Sequence, residues 1–155
     1  MSCRTNKLKS AYLKSLEERY DFIYASANNI VFNFKFFVSG EHYGQSFKDW
    51  QTDGILSEFN EKLKEFSGKT ITDLLLDETL EIYADYPNDS KFKIPDALKS
   101  ANVKLVRLRL TERRRVIGFM LKDSNPEIKA SEKCKNIFYV VFLDKKHEFA
   151  PYRKK

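Results

Sequence analysis

The chain has 155 residues, carries 28 Lys+Arg against 22 Asp+Glu for a net charge of +6, and is 14% aromatic, with 13 Phe. That length sustains one domain with a real core, and so aromatic a composition excludes a chain that is disordered throughout. No apolar run reaches the roughly 18 residues that span a bilayer. The opening residues hold no apolar leader segment, and Cys3 and Cys134 lie too far apart in sequence for a disulfide framework or zinc spacing, so a cytoplasmic protein without a cofactor is expected.

Residues 5–27 read as a helix, with Leu8, Tyr12, Leu16, Tyr20 and Ile23 recurring at three- and four-residue steps. Asn28-Asn29 stops it. From Ile30 to Val38 the pattern alternates, Ile30, Phe32, Phe34, Phe36 and Val38 against Asn33 and Lys35, which predicts one half-buried strand. Ser46 and Asp49 have capping-box spacing at the start of a short helical turn that carries Trp50. A longer amphipathic helix is predicted over 55–66, with Ile55, Leu56, Phe59, Leu63 and Phe66 on its apolar stripe and Glu58–Lys62 as an i,i+4 pair. Thr70 and Asp73 repeat the capping box ahead of Leu74, Leu75 and Leu76. Residues 77–90 have no clear period and end in a loop, and Pro95 opens a short helix over 96–102.

The last third predicts an antiparallel meander over 104–149. Val106, Leu108 and Leu110 alternate with Arg107 and Arg109, whereas 115–121 and 136–143 are apolar on both faces, as strands covered on both sides must be. Thr111 to Arg114 is the tight connection of the first hairpin, and 123–135 is a longer second connection. The whole reads as a single α+β domain, a mostly antiparallel sheet ending in a three-stranded meander with helices packed on it.

The positive charge is concentrated there. From residue 101 onward 15 basic residues face 6 acidic ones, a net of +9, leaving 13 basic and 16 acidic residues in the remainder. Such a segment suits phosphates or an acidic protein partner. Motifs for nucleotide phosphates, zinc proteolysis and serine hydrolysis are absent. A tight hairpin would set Arg109 and Arg115 opposite each other, and like charges so placed need an anionic guest or internal partners, for which Glu58, Asp73 and Glu81 are candidates. His147 reads as a general acid/base or as an exposed residue past the last strand, and His42 as a structural loop residue.

Leu108-Arg109-Leu110, a charged turn, Arg114-Arg115-Val116-Ile117-Gly118-Phe119, then Ile137 to Asp144 and Lys146-His147, together resemble the carboxy-terminal meander of the RelE/ParE toxin superfamily. The resemblance covers the last third of the chain. It implies an endoribonuclease, ribosome-dependent or free, that needs no metal and is encoded beside an antitoxin. Arg109 and Arg115 would then stabilise charge on the scissile phosphate, and His147 or Tyr152 would serve as acid/base. Lys145 and Lys146, with Arg107, Arg113 and Arg114, would hold the RNA or ribosome, and Phe149 or Tyr139 would stack a base. The competing expectation is a non-catalytic basic module, such as a phage- or plasmid-borne accessory protein, that binds nucleic acid or an acidic protein.

Overall fold

Five strands line up in the order β1-β5-β4-β3-β2 in a computed structural model that describes residues 2–122 and 135–151. They are β1 (Val31–Asn33), β2 (Leu80–Tyr83), β3 (Val103–Arg109), β4 (Arg115–Leu121) and β5 (Ile137–Asp144). The helices are α1 (Ser2–Ala25), α2 (Phe47–Thr52), α3 (Leu56–Ser67), α4 (Ile71–Leu76) and α5 (Asp96–Lys99). β2, β3, β4 and β5 pair antiparallel in turn, while β1 joins β5 in parallel. The chain is therefore α+β, with the expected meander as the centre of its sheet.

Both faces of the meander are covered, which is why β4 and β5 are apolar throughout. On one face Val106, Leu108, Val116, Val140 and Leu143 pack under Trp50, Phe59, Phe66 and Leu74 of α2, α3 and α4. On the other, Ile117, Phe119, Val141 and Phe142 meet Phe92 and Phe149, which are held in connecting segments. A bulge lets both Val141 and Phe142 reach this second core, because the register of β4 on β5 shifts between Ile117 and Gly118. At Gly118 the strands approach so closely that a Cβ would overlap the Tyr139 carbonyl and lie 2.8 Å from the Phe138 ring.

Both capping boxes form. Ser46 and Thr70 accept the Asp49 and Asp73 amides, and each carboxylate takes its cap residue's N–H in return. The aromatic segment Ile30 to Val38 is not one strand. Asn33 Oδ1 accepts the Lys35 amide (2.9 Å) and Phe34 O accepts the Phe37 amide (3.0 Å), so the chain turns after three strand residues. It then crosses the sheet edge, leaving Ile30, Phe32 and Phe37 on the first core and Phe36 and Val38 on the second. The residues without a clear period contain β2, the far edge strand. Lys62 pairs with Glu65 (2.7 Å) rather than Glu58, which is engaged elsewhere. Among the described residues no helix is long and apolar enough to cross a membrane.

Candidate functional site

The β3–β4 hairpin sets the register of the basic residues. Arg109 lies opposite Arg115, and Arg115 opposite Asp144, giving one charged row across three strands. Arg107 is two pairs further in, opposite Ile117 and beside Glu81 of β2. These side chains share the face that carries the second core, at its open end.

Asp144, the last residue of β5 and 1% exposed, organises the segment after it. Its Oδ1 accepts the amides of Lys146 (3.3 Å) and Glu148 (2.9 Å), and its Oδ2 accepts that of Phe149 (2.9 Å). Three donors on one carboxylate wind 145–149 into a tight turn. The turn buries Phe149 against Phe142, Phe92, Tyr83 and Tyr86. It also folds His147 back over the charged row, so that this residue is 7% exposed and not the exposed strand-end side chain that its charged neighbours imply. His147 Nε2 is 3.4 Å from the Arg107 guanidinium. Arg107 in turn pairs with Glu81 and lies over the Tyr83 ring, 5.8 Å from its centroid.

Arg115 is buried and donates through Nη1 to the carbonyls of Glu112 (2.7 Å) and Arg114 (2.9 Å), bracing the hairpin turn from beneath. Glu58 of α3 ties the same turn from the other side, accepting from Thr111 Oγ1 and from the Arg114 guanidinium. The post-β5 turn has a matching tether: Lys145 pairs with Asp53, and its amide donates to Gln45 Oε1 (2.7 Å), which also accepts Trp50 Nε1 (3.3 Å). The two turns form the lips of an open cleft of about 680 Å³. Arg113, Arg114, Lys145, Lys146 and Lys91 supply its positive lining, His147 lies between them, and Glu112 and Glu148 are its acids. Four non-glycine residues among those described have left-handed backbone, and two of them, Glu112 (φ 44°) and His147 (φ 61°), sit on these lips. Strain held at a cleft in this way is common at functional sites.

Of the internal partners expected for the arginines, Glu58 takes Arg114 and Glu81 takes Arg107, while Asp73 serves only its helix cap. Arg109, Arg113 and Lys146 make no ion pair among the described residues. Phe149 is fully buried and Tyr139 stacks on Phe119 (4.8 Å, 11°), so both serve the second core instead of presenting a face to a base. Tyr152 lies outside the described residues. Residue patterns alone do not single out Glu112. For Asp144 a signal does exist: an Asp at a strand end followed by charged residues and then Phe149, the pattern of a side chain capping its own turn.

Burial, and then the charge of Arg115, hold the His147 imidazolium below the usual histidine value, with Asp144 pulling the other way. Burial and Arg115 both favour the neutral imidazole. The unfolded chain binds this proton near the ordinary histidine pKa of about 6.5, the folded chain only at lower pH. The native state is therefore expected to lose stability relative to His147→Gln as pH falls through that window, which parallel urea titrations would show; curves that stay parallel would exclude the depressed value.

Glu58→Ala is expected to cost about 1–2 kcal/mol by leaving Arg114 and Thr111 without their acceptor. The denaturant midpoint reads this, and an unchanged midpoint would mean that the hairpin lip stands without its tether.

No protein-family model, curated protein or solved structure matches this chain.

Proposed function

We propose that the chain is a toxin-like protein that acts on RNA, cleaving it or engaging it on the ribosome at the cleft between the two turns. The observation that carries this reading is His147, buried beside Arg107 and Arg115, under a rim whose Arg113 and Lys146 have no carboxylate partner among the described residues. His147 takes the proton of a ribose 2′-hydroxyl and the oxygen attacks the adjacent phosphorus. The P–O5′ bond breaks, and the leaving oxygen takes a proton from solvent, leaving a 2′,3′-cyclic phosphate. Guanidinium groups at this end of the sheet offset the charge that develops on the phosphoryl oxygens. An acidic protein able to cover the +9 segment is the partner this reading calls for.

The second reading, a non-catalytic module for nucleic acid or an acidic protein, draws on a specific fact: Arg107 and Arg114 already have carboxylate partners. Incubation with labelled RNA in EDTA, alone and with ribosomes, separates the two. Cleavage should fall by about 10²–10⁴-fold in His147→Ala, with binding retained, and fall also in Arg109→Ala. Binding that weakens with salt, without cleavage, would replace the first reading by the second.

A further inference from the structure

We propose that α1 is a self-association helix that pairs antiparallel with α1 of a second copy of this chain. None of its described side chains is buried, and three of its apolar residues stand in solvent: Leu8 (73% exposed), Tyr12 (64%) and Leu13 (48%). Leu16 continues the stripe in sequence, as do Tyr20 and Ile23. A helix of 24 residues whose described side chains form no packed face is marginal in water, because helices in proteins owe most of their stability to the surface that covers them.

The charges say what covers it. Residues 2–14 carry Arg4, Lys7, Lys9 and Lys14 and no acid; residues 15–25 carry Glu17, Glu18 and Asp21 with Arg19 alone against them. This is the reverse of what a lone helix favours, since its first turn holds no acid and its last turn no base. Laid antiparallel on a second α1, each basic half meets an acidic half and the two helix dipoles oppose. A parallel pair would set like against like. A uniformly acidic partner would match only the first half and repel Glu17, Glu18 and Asp21. Only a partner with the same polarity, turned end for end, satisfies both halves, and a second copy is such a partner.

Light scattering over a concentration series of the full chain tests this independently of any activity on RNA. The expected mass is twice the 18.3 kDa of the chain at high concentration, returning to 18.3 kDa in Leu8→Glu/Tyr12→Glu, whose exposed positions leave the sheet intact. Orientation is read by single cysteines in a Cys3→Ser/Cys134→Ser background. Ser15→Cys, near the helix midpoint, should give a disulfide-linked dimer, whereas Thr5→Cys, near one end, should not. A monomer at every concentration, a dimer indifferent to the double substitution, or preferential cross-linking through Thr5→Cys would each overturn the proposal.

Discussion

Gly118→Ala is expected to be the most damaging single substitution in the sheet, costing on the order of 3 kcal/mol or more. The cause is contact and not backbone freedom. Gly118 is a strand residue at the β4–β5 bulge, and its added methyl would fall on the Tyr139 carbonyl and against the Phe138 ring. A side chain can step aside, but a carbonyl held in a ladder between two other strands cannot. Relief would require β4 and β5 to part at the point where both cores meet, so the first core, around Val116 and Val140, and the second, around Ile117 and Phe142, would loosen together. Gly44→Ala is a useful comparison. There a methyl would come 2.6 Å from the Leu143 carbonyl at a φ of 81°, a shallower overlap than the 2.1 Å at Gly118. Urea midpoints should rank wild type, then Gly44→Ala, then Gly118→Ala. A Gly118→Ala midpoint close to wild type would show that the bulge can widen without loss.

Asp144→Ala is expected to cost about 3 kcal/mol and to open the cleft as well. Three amides lose their acceptor at once, and Phe149 and His147 are held in place through the turn those amides close. Asp144→Asn should cost less, since its oxygen can keep the Lys146 and Glu148 amides while its NH₂ faces that of Phe149. Burial raises the Asp144 carboxyl above the ordinary carboxylate value, against the pull of these amides. A raised native pKa contributes stability that is present below about 3.8 and lost as pH rises through the native value. The advantage of wild type over Asp144→Asn should thus be greatest in acid and shrink toward neutrality. Proton exchange at the Phe149 amide offers a local readout: it should become fast in Asp144→Ala, and continued protection would mean that the second core alone holds the turn.

Where the sequence carries its own partner within a few residues, the fold could be read from it directly. Both capping boxes pair residues three apart, and the hairpin register that puts Arg109 opposite Arg115 comes from a short turn. The apolar character of 115–121 and 136–143 on both faces correctly implied a sheet covered on two sides. What escaped depends on contacts distant in sequence. β2 has only four residues, and Glu81 and Ile82, on opposite faces, are both exposed at the sheet edge, so no alternation marks it. The aromatic alternation of 30–38 is a true pattern that the turn at Asn33 overrides, dividing it between two cores. His147 sits among Lys145, Lys146 and Glu148 and so looks like surface; its burial comes from the three-amide grip of Asp144, which no periodicity reports. The candidate arginines could be named from the sequence, but their division into those held by Glu58 and Glu81 and those left at the rim could not.

β5 lies between β4 and β1, yet among the described residues it is the last strand the chain contributes, and its parallel neighbour is the first. As the polypeptide emerges from the ribosome, β1 has no hydrogen-bonding partner in this sheet until more than a hundred residues later, and the hairpin of β3 and β4 shows an open edge in the meantime. At synthesis rates of roughly 5–20 residues per second that interval lasts several seconds, a window in which the exposed edges invite chaperones or wrong partners. The cleft cannot exist in a nascent chain that stops short of Phe149. Premature termination ahead of Ile137 would therefore remove the keystone of the sheet and not a dispensable tail.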